Sequence, residues 1–89
     1  MSVSESEKHQ RLMTLKAGDR VKVTGHFLIE RSDLNLEREI GTVTEADRGA
    51  IWIRLDDEFQ WLEEWENSVF VDVDLWVDYG TTLPDVVAV

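Results

Sequence analysis

The sequence predicts a mainly β domain: a small five-stranded antiparallel barrel with a short helical or disordered N-terminal arm. Three observations carry that expectation. In residues 69–79, Val69, Val71, Val73, Leu75, Val77 and Tyr79 alternate with Phe70, Asp72, Asp74, Trp76 and Asp78. Side chains alternate across a strand, so this run has one apolar face and one face of acids and aromatics. Residues 19–29 alternate too, with Val21, Val23, Phe27 and Ile29 against Arg20, Lys22, Thr24 and His26. Finally, Asp47-Arg48-Gly49 is a tight-turn sequence between two short alternating runs, residues 40–46 and Ala50–Leu55.

Taken in order, residues 1–15 form the arm. Ser4 is placed to cap a short helix, with Glu7 three positions on in the spacing of a capping box. Leu12, Met13 and Leu15 are its large apolar residues and dock its C-terminal end. Ala17-Gly18-Asp19 is a turn. The first strand follows, and Gly25 inside it signals a bulge or bend. Residues 30–39 are charged and lack a strand period, so they read as a loop tucked down by Leu34 and Leu36. In the strand 40–46, Gly41, Val43 and Glu45 share one side.

In Ala50–Leu55, the side chains of Ile51, Ile53 and Leu55 oppose Trp52 and Arg54. Asp56-Asp57 turns the chain into residues 58–65, a strand running into a helical turn near 63–68. The last strand is 69–79, paired with the first, so that Asp72 and Asp74 face Arg20 and Lys22. Such cross-strand charge pairs contribute roughly 0.2–1 kcal/mol each. The barrel is thus residues 16–79. Residues 80–89 are a C-terminal tail in which Val86, Val87 and Val89 pack or add an edge strand.

A chain of 89 residues is one domain. It has no cysteine, so neither a disulfide framework nor a thiolate metal site is expected. No apolar run approaches the roughly 20 residues of a membrane span. The opening Met-Ser-Val-Ser-Glu-Ser-Glu-Lys lacks the apolar core of a signal peptide. A cytoplasmic location is the expectation. The net charge is −10, and it is unevenly placed. Residues 1–18 carry +1 and residues 19–55 carry −1, while residues 56–89 hold 10 acids and no lysine or arginine. That field repels nucleic acid and anionic membranes and favours a basic partner.

The run Leu15-Lys16-Ala17-Gly18-Asp19-Arg20-Val21-Lys22-Val23, followed by Ile40-Gly41-Thr42-Val43-Thr44-Glu45-Ala46, resembles the Gly-Asp-x-Val-x-Val … Gly-x-Val pattern of KOW-type and related SH3-like domains. The resemblance spans roughly residues 16–55. It implies an SH3-like barrel. For KOW-type domains it also implies nucleic-acid or ribosome association, a role that the acidic charge disfavours here.

No nucleophile motif is present, and His26 on the polar strand face reads as a surface histidine, so no enzymatic activity and no cofactor are expected. Asp72, Asp74 and Asp78 on a strand, or Asp56-Asp57-Glu58 in a turn, do not converge as a hard cation requires, so no metal is expected either. The aromatics are the stronger lead. Four tryptophans are more than a small barrel interior holds. Phe70, Trp76 and Trp52 fall opposite the apolar faces, and exposed aromatics rimmed by charge mark protein–protein surfaces.

The expected contact surface comprises Trp52, Trp61, Glu63, Glu64, Trp65, Glu66, Phe70, Asp72, Asp74 and Trp76. The expected function is a non-enzymatic protein-binding module or accessory subunit that takes a basic partner protein. An acidic mimic of nucleic acid that blocks a DNA- or RNA-binding protein is the alternative. An exposed apolar strand also leaves a homodimer edge open.

Overall fold

The computed structural model describes residues 4–29, 32–59, 62, 65–78 and 82–89. Among these residues it is mainly β, with five antiparallel strands in one sheet and two short helices. The helix α1 spans Glu5–Thr14, and the strands β1 Arg20–Ile29, β2 Ser32–Asp47 and β3 Ala50–Leu55 follow. Then come β4 Ser68–Asp72, α2 Val73–Asp78 and β5 Asp85–Ala88. The strand order is β4-β3-β2-β1-β5.

The helix α1 begins as its sequence predicts. The Ser4 hydroxyl accepts the Glu7 N–H at 3.2 Å, satisfying one of the orphan donors of the first turn. Leu12 and Leu15 are buried and tie the helix end to the core, whereas Met13 is exposed. Arg11 Nη1 reaches Asp85 Oδ1 at 2.6 Å, and Glu5 Oε2 accepts the Leu83 N–H at 3.0 Å, so α1 lies along the β5 edge.

The turn at Gly18-Asp19 is stitched to β2. Gly18 donates to the Val43 carbonyl at 2.7 Å, and Val43 donates back to the Asp19 carbonyl at 2.9 Å. In β1, Val21, Val23 and Phe27 are fully buried. Gly25 is the bend expected of it. Its φ is +139°, the β1–β2 register shifts beside it, and a Cβ there would lie 2.9 Å from Pro84 Cα. The hairpin from β2 to β3 turns at Arg48 and Gly49, both with positive φ. Ile51, Ile53 and Leu55 then face inward as the alternation requires. The core continues through Leu36, Val43, Leu62, Val69, Val71, Val73, Trp76, Leu83 and Val86.

Several expectations are corrected. Residues 32–39 are not a loop, because Ser32–Asp47 is one 16-residue strand paired with β1. Ladder hydrogen bonds to β1 hold this charged segment extended where its side-chain pattern does not. Glu30 and Arg31 lie outside the described residues. Glu45 does not share the side of Val43. A second register shift between them turns Glu45 to solvent while Val43 is buried.

Of residues 58–65, the described Glu58 and Phe59 are in no strand, and Leu62 and Trp65 have 3₁₀ backbone. The run 69–79 is a strand only as far as Asp72. There the Asp72 carboxylate accepts the Leu75 N–H at 3.2 Å and starts α2. Helical spacing buries Val73 and Trp76 together and leaves Leu75 and Val77 exposed, which a strand would not do. Tyr79 lies outside the described residues.

The expected pairing of the first strand with residues 69–79 is absent among the described residues. There β1 pairs with β2 and β5, and β4 pairs with β3. The C-terminal segment takes that place, with Val21 opposite Ala88 and Val23 opposite Val86. Arg20 consequently meets Asp56 rather than Asp72, through a two-pronged contact whose Nη1–Oδ1 arm is 2.8 Å. Lys22 lies opposite Val87.

Candidate functional site: an aromatic cluster on the outer sheet face

The inward set of β3 and β4 is aliphatic, so Trp52 and Phe70 project from the other face. Register places them directly opposite each other. Their rings are 4.8 Å apart and tilted by 38°, a favourable arrangement for offset aromatic quadrupoles. Trp65 completes the cluster. Its ring centroid is 5.9 Å from that of Trp52, with planes 25° from parallel. Trp65 itself is 38% exposed, so the cluster presents an indole to solvent.

The loop before β4 carries Trp65 back over the sheet. Glu66 and Asn67 both have left-handed backbone, with φ of 54° and 58°. Two successive positive-φ residues reverse the chain within a very short span, and asparagine tolerates that region better than most residues. Asn67 then locks the reversal. Its Nδ2 donates to the Leu55 carbonyl at 2.8 Å and to the Asp57 carbonyl at 2.7 Å, and its Oδ1 accepts the Phe59 N–H at 2.8 Å. Its main chain joins in, accepting from the Leu55 N–H at 3.0 Å and donating to the Leu62 carbonyl at 2.9 Å.

Charge surrounds the aromatics. Glu45 is opposite Trp52 in the ladder, Asp72 is opposite Ala50, and Asp47 is opposite Ala50 on the other side. Arg54, two positions from Trp52, pairs with Glu66 at 3.3 Å. Both of those side chains are well exposed, so the pair contributes little to stability, and it accounts for one of the expected acids. On the outer face, Glu45, Asp47 and Asp72 remain without a salt-bridge partner among the described residues.

Trp52, Trp65, Phe70, Glu66 and Asp72 are therefore brought to one surface. Asp74 is not part of it. It sits in the first turn of α2, exposed, off the β4 face. Trp76 is a correction. It is 5% exposed and belongs to the core, because the switch from strand to helix rotates it inward. Trp61, Glu63 and Glu64 lie outside the described residues. Glu45, Asp47, Arg54 and Asn67 were not expected at this site. The alternation that placed Trp52 outward also placed Arg54 there, but the bulge at Thr44 and the clamp at Asn67 have no periodic signature.

Among the described residues, no group of three or more His, Cys, Asp or Glu side chains is close enough to hold a metal ion. No helix among them is long and apolar enough to cross a membrane. Comparison of the chain with protein-family models, with curated proteins and with solved structures returns no match.

Proposed function

We propose that this chain is a non-enzymatic, cytoplasmic protein-binding module, an SH3-like barrel that captures a basic partner on the cluster of Trp52, Trp65 and Phe70. The single observation that carries the reading is the placement of Trp65. Among the described residues, the buried hydrophobic side chains are aliphatic apart from Phe27 and Trp76. A further indole is instead laid over Trp52 in the open, held by a loop with five hydrogen bonds through one asparagine. Tryptophan is the residue type most often found to dominate contact energies, because it buries a large rigid surface at low entropic cost.

The acids supply the choice of partner. Glu45, Asp47 and Asp72 flank the aromatics, and residues 56–89 contain no base. Such a rim steers and selects more than it binds, so association should weaken as salt rises. The barrel reading is supported by the Gly18-Asp19 turn bonded to Val43 and by β1 lying between β2 and β5.

The test is capture from the native host with the wild-type chain and with Trp65→Ala at matched concentration. A partner retained by wild type, released by salt and lost with Trp65→Ala supports the reading. Equal capture by both chains rejects it.

A further inference from the structure

The β3–β4 ladder is pinned at both ends. Leu55 donates to the Asn67 carbonyl at 3.0 Å, and Val73 donates to the Gly49 carbonyl at 3.0 Å. In an antiparallel ladder, residues that exchange hydrogen bonds alternate with residues that do not. Asn67 and Val73 mark the bonded set, so Val69 and Val71 also turn their main-chain groups toward β3. Ser68, Phe70 and Asp72 turn theirs away from it. That side of β4 is the end of the sheet, since among the described residues β4 pairs with β3 alone.

Two further features single out this edge. Its outward main-chain groups belong to the same residues whose side chains stand on the aromatic face. The row across the sheet runs Glu45, Trp52, Phe70, and a strand added beside β4 would place its next side chain at the end of that row. The edge also carries little protection in its own residues. Ser68–Asp72 contains no proline, lysine or glycine, and its one charge is Asp72. The Asp72 carboxylate is bound only through Oδ1, by Leu75, among the described residues.

From these relationships we propose that β4 is a docking edge. An extended basic segment of a partner protein adds there as a sixth strand. Its outward side chains are arginine or lysine, lying along Phe70 and beside Asp72. Its inward side chains are apolar and continue the face of Val69 and Val71. Main-chain hydrogen bonds to Phe70 supply affinity, and the alternation supplies selectivity. The occupant is basic because Asp72 on the edge has no salt-bridge partner among the described residues, Glu45 and Asp47 stand equally unpaired on the same face two strands inward, and no base follows Arg54 in the chain. The proposal rests on the aromatic surface proposed above, and the two can fail separately.

The probe is a blocked hexapeptide of alternating arginine and valine, titrated against the full chain by tryptophan fluorescence. Two derivatives are N-methylated, one at the arginine nitrogens and one at the valine nitrogens. An added strand offers only one of these sets to β4. One derivative should therefore bind about tenfold or more weaker while the other binds like the parent, as loss of main-chain hydrogen bonds implies. The Phe70 amide should exchange about tenfold or more slowly with parent peptide bound. Any other pattern overturns strand addition, including no binding at all.

Trp65→Ala separates the two proposals. If it weakens the parent peptide while both methylated peptides bind normally, the edge fails and the aromatic surface stands. If it changes nothing while one methylated peptide is weakened, the edge stands and the aromatic reading fails.

Discussion

The indole of Trp65 lies over that of Trp52, 5.9 Å between centroids, while Trp76, eleven residues further along, is buried in the core. The two exposures predict opposite mutational behaviour. Trp65→Ala removes one aromatic contact from an open surface and should cost about 1 kcal/mol. Trp76→Ala empties a core site and should cost about 3–5 kcal/mol. Urea titration of both variants decides the matter. A Trp76→Ala midpoint as close to wild type as that of Trp65→Ala would contradict the burial of Trp76.

Asn67 is the residue on which the aromatic surface depends without touching it. Asn67→Ala leaves the Leu55 and Asp57 carbonyls and the Phe59 N–H without their side-chain partner, and it places a Cβ residue at φ 58° with no compensating bond. The expected cost is roughly 2–4 kcal/mol. Asn67→Gly keeps the backbone relaxed and loses only the bonds, so it should fall between Asn67→Ala and wild type. Equal stability of the two variants would mean that backbone strain has no share in the effect. The stacking of Trp65 on Trp52 should loosen in both, seen as a red shift and broadening of tryptophan emission.

Which parts of this arrangement were legible follows from what each part rests on. The β2–β3 hairpin rests on period-two alternation and on a glycine at the turn, both local, and it forms where expected. The Ser4–Glu7 cap is equally local. The switch at Asp72 is different. Val73, Leu75 and Val77 fit a strand face, whereas Val73 and Trp76 fit a helix face, and the choice is made by the core, which accommodates the Trp76 indole. Residues 32–39 are extended because β1 pairs with them, even though Arg38 has φ 54° and breaks any alternation. At the surface, the outward positions of Trp52 and Phe70 were readable. Their adjacency needed the register, and the return of Trp65 needed two left-handed residues.

Gly25 sits where the chain path of β1 and the arrival of Pro84 coincide. With φ at +139° and Pro84 Cα 2.9 Å from any added Cβ, Gly25→Ala must displace backbone on both sides. A cost of about 1–3 kcal/mol is expected. The damage should be directional. The β1–β5 ladder ends next to this point, at Thr24 opposite Asp85, so the amides of Val87 and Val89, which face β1, should exchange faster while those of β3 keep their protection. Uniform acceleration across the sheet would show that Gly25 does not act through β5.

Acid should weaken the fold through two carboxylates at identifiable places. The hydrogen bond from Arg20 holds the Asp56 carboxyl below its usual range, opposed by burial and aided by the Arg20 charge. The Leu83 N–H does the same for Glu5, aided by Lys8. A carboxylate with a depressed folded pKa adds stability that is complete above its unfolded value and is lost as pH falls through the lower folded value. Nothing should therefore change between neutral pH and about 5, and the loss should set in below about 4. A double variant, Asp56→Asn with Glu5→Gln, lacks both contributions. Its melting temperature should lie below that of wild type at pH 7, and the gap should close as the solution is taken toward pH 2. A gap that stays constant through the acid limb would place the origin of the difference elsewhere than in these two ionisations.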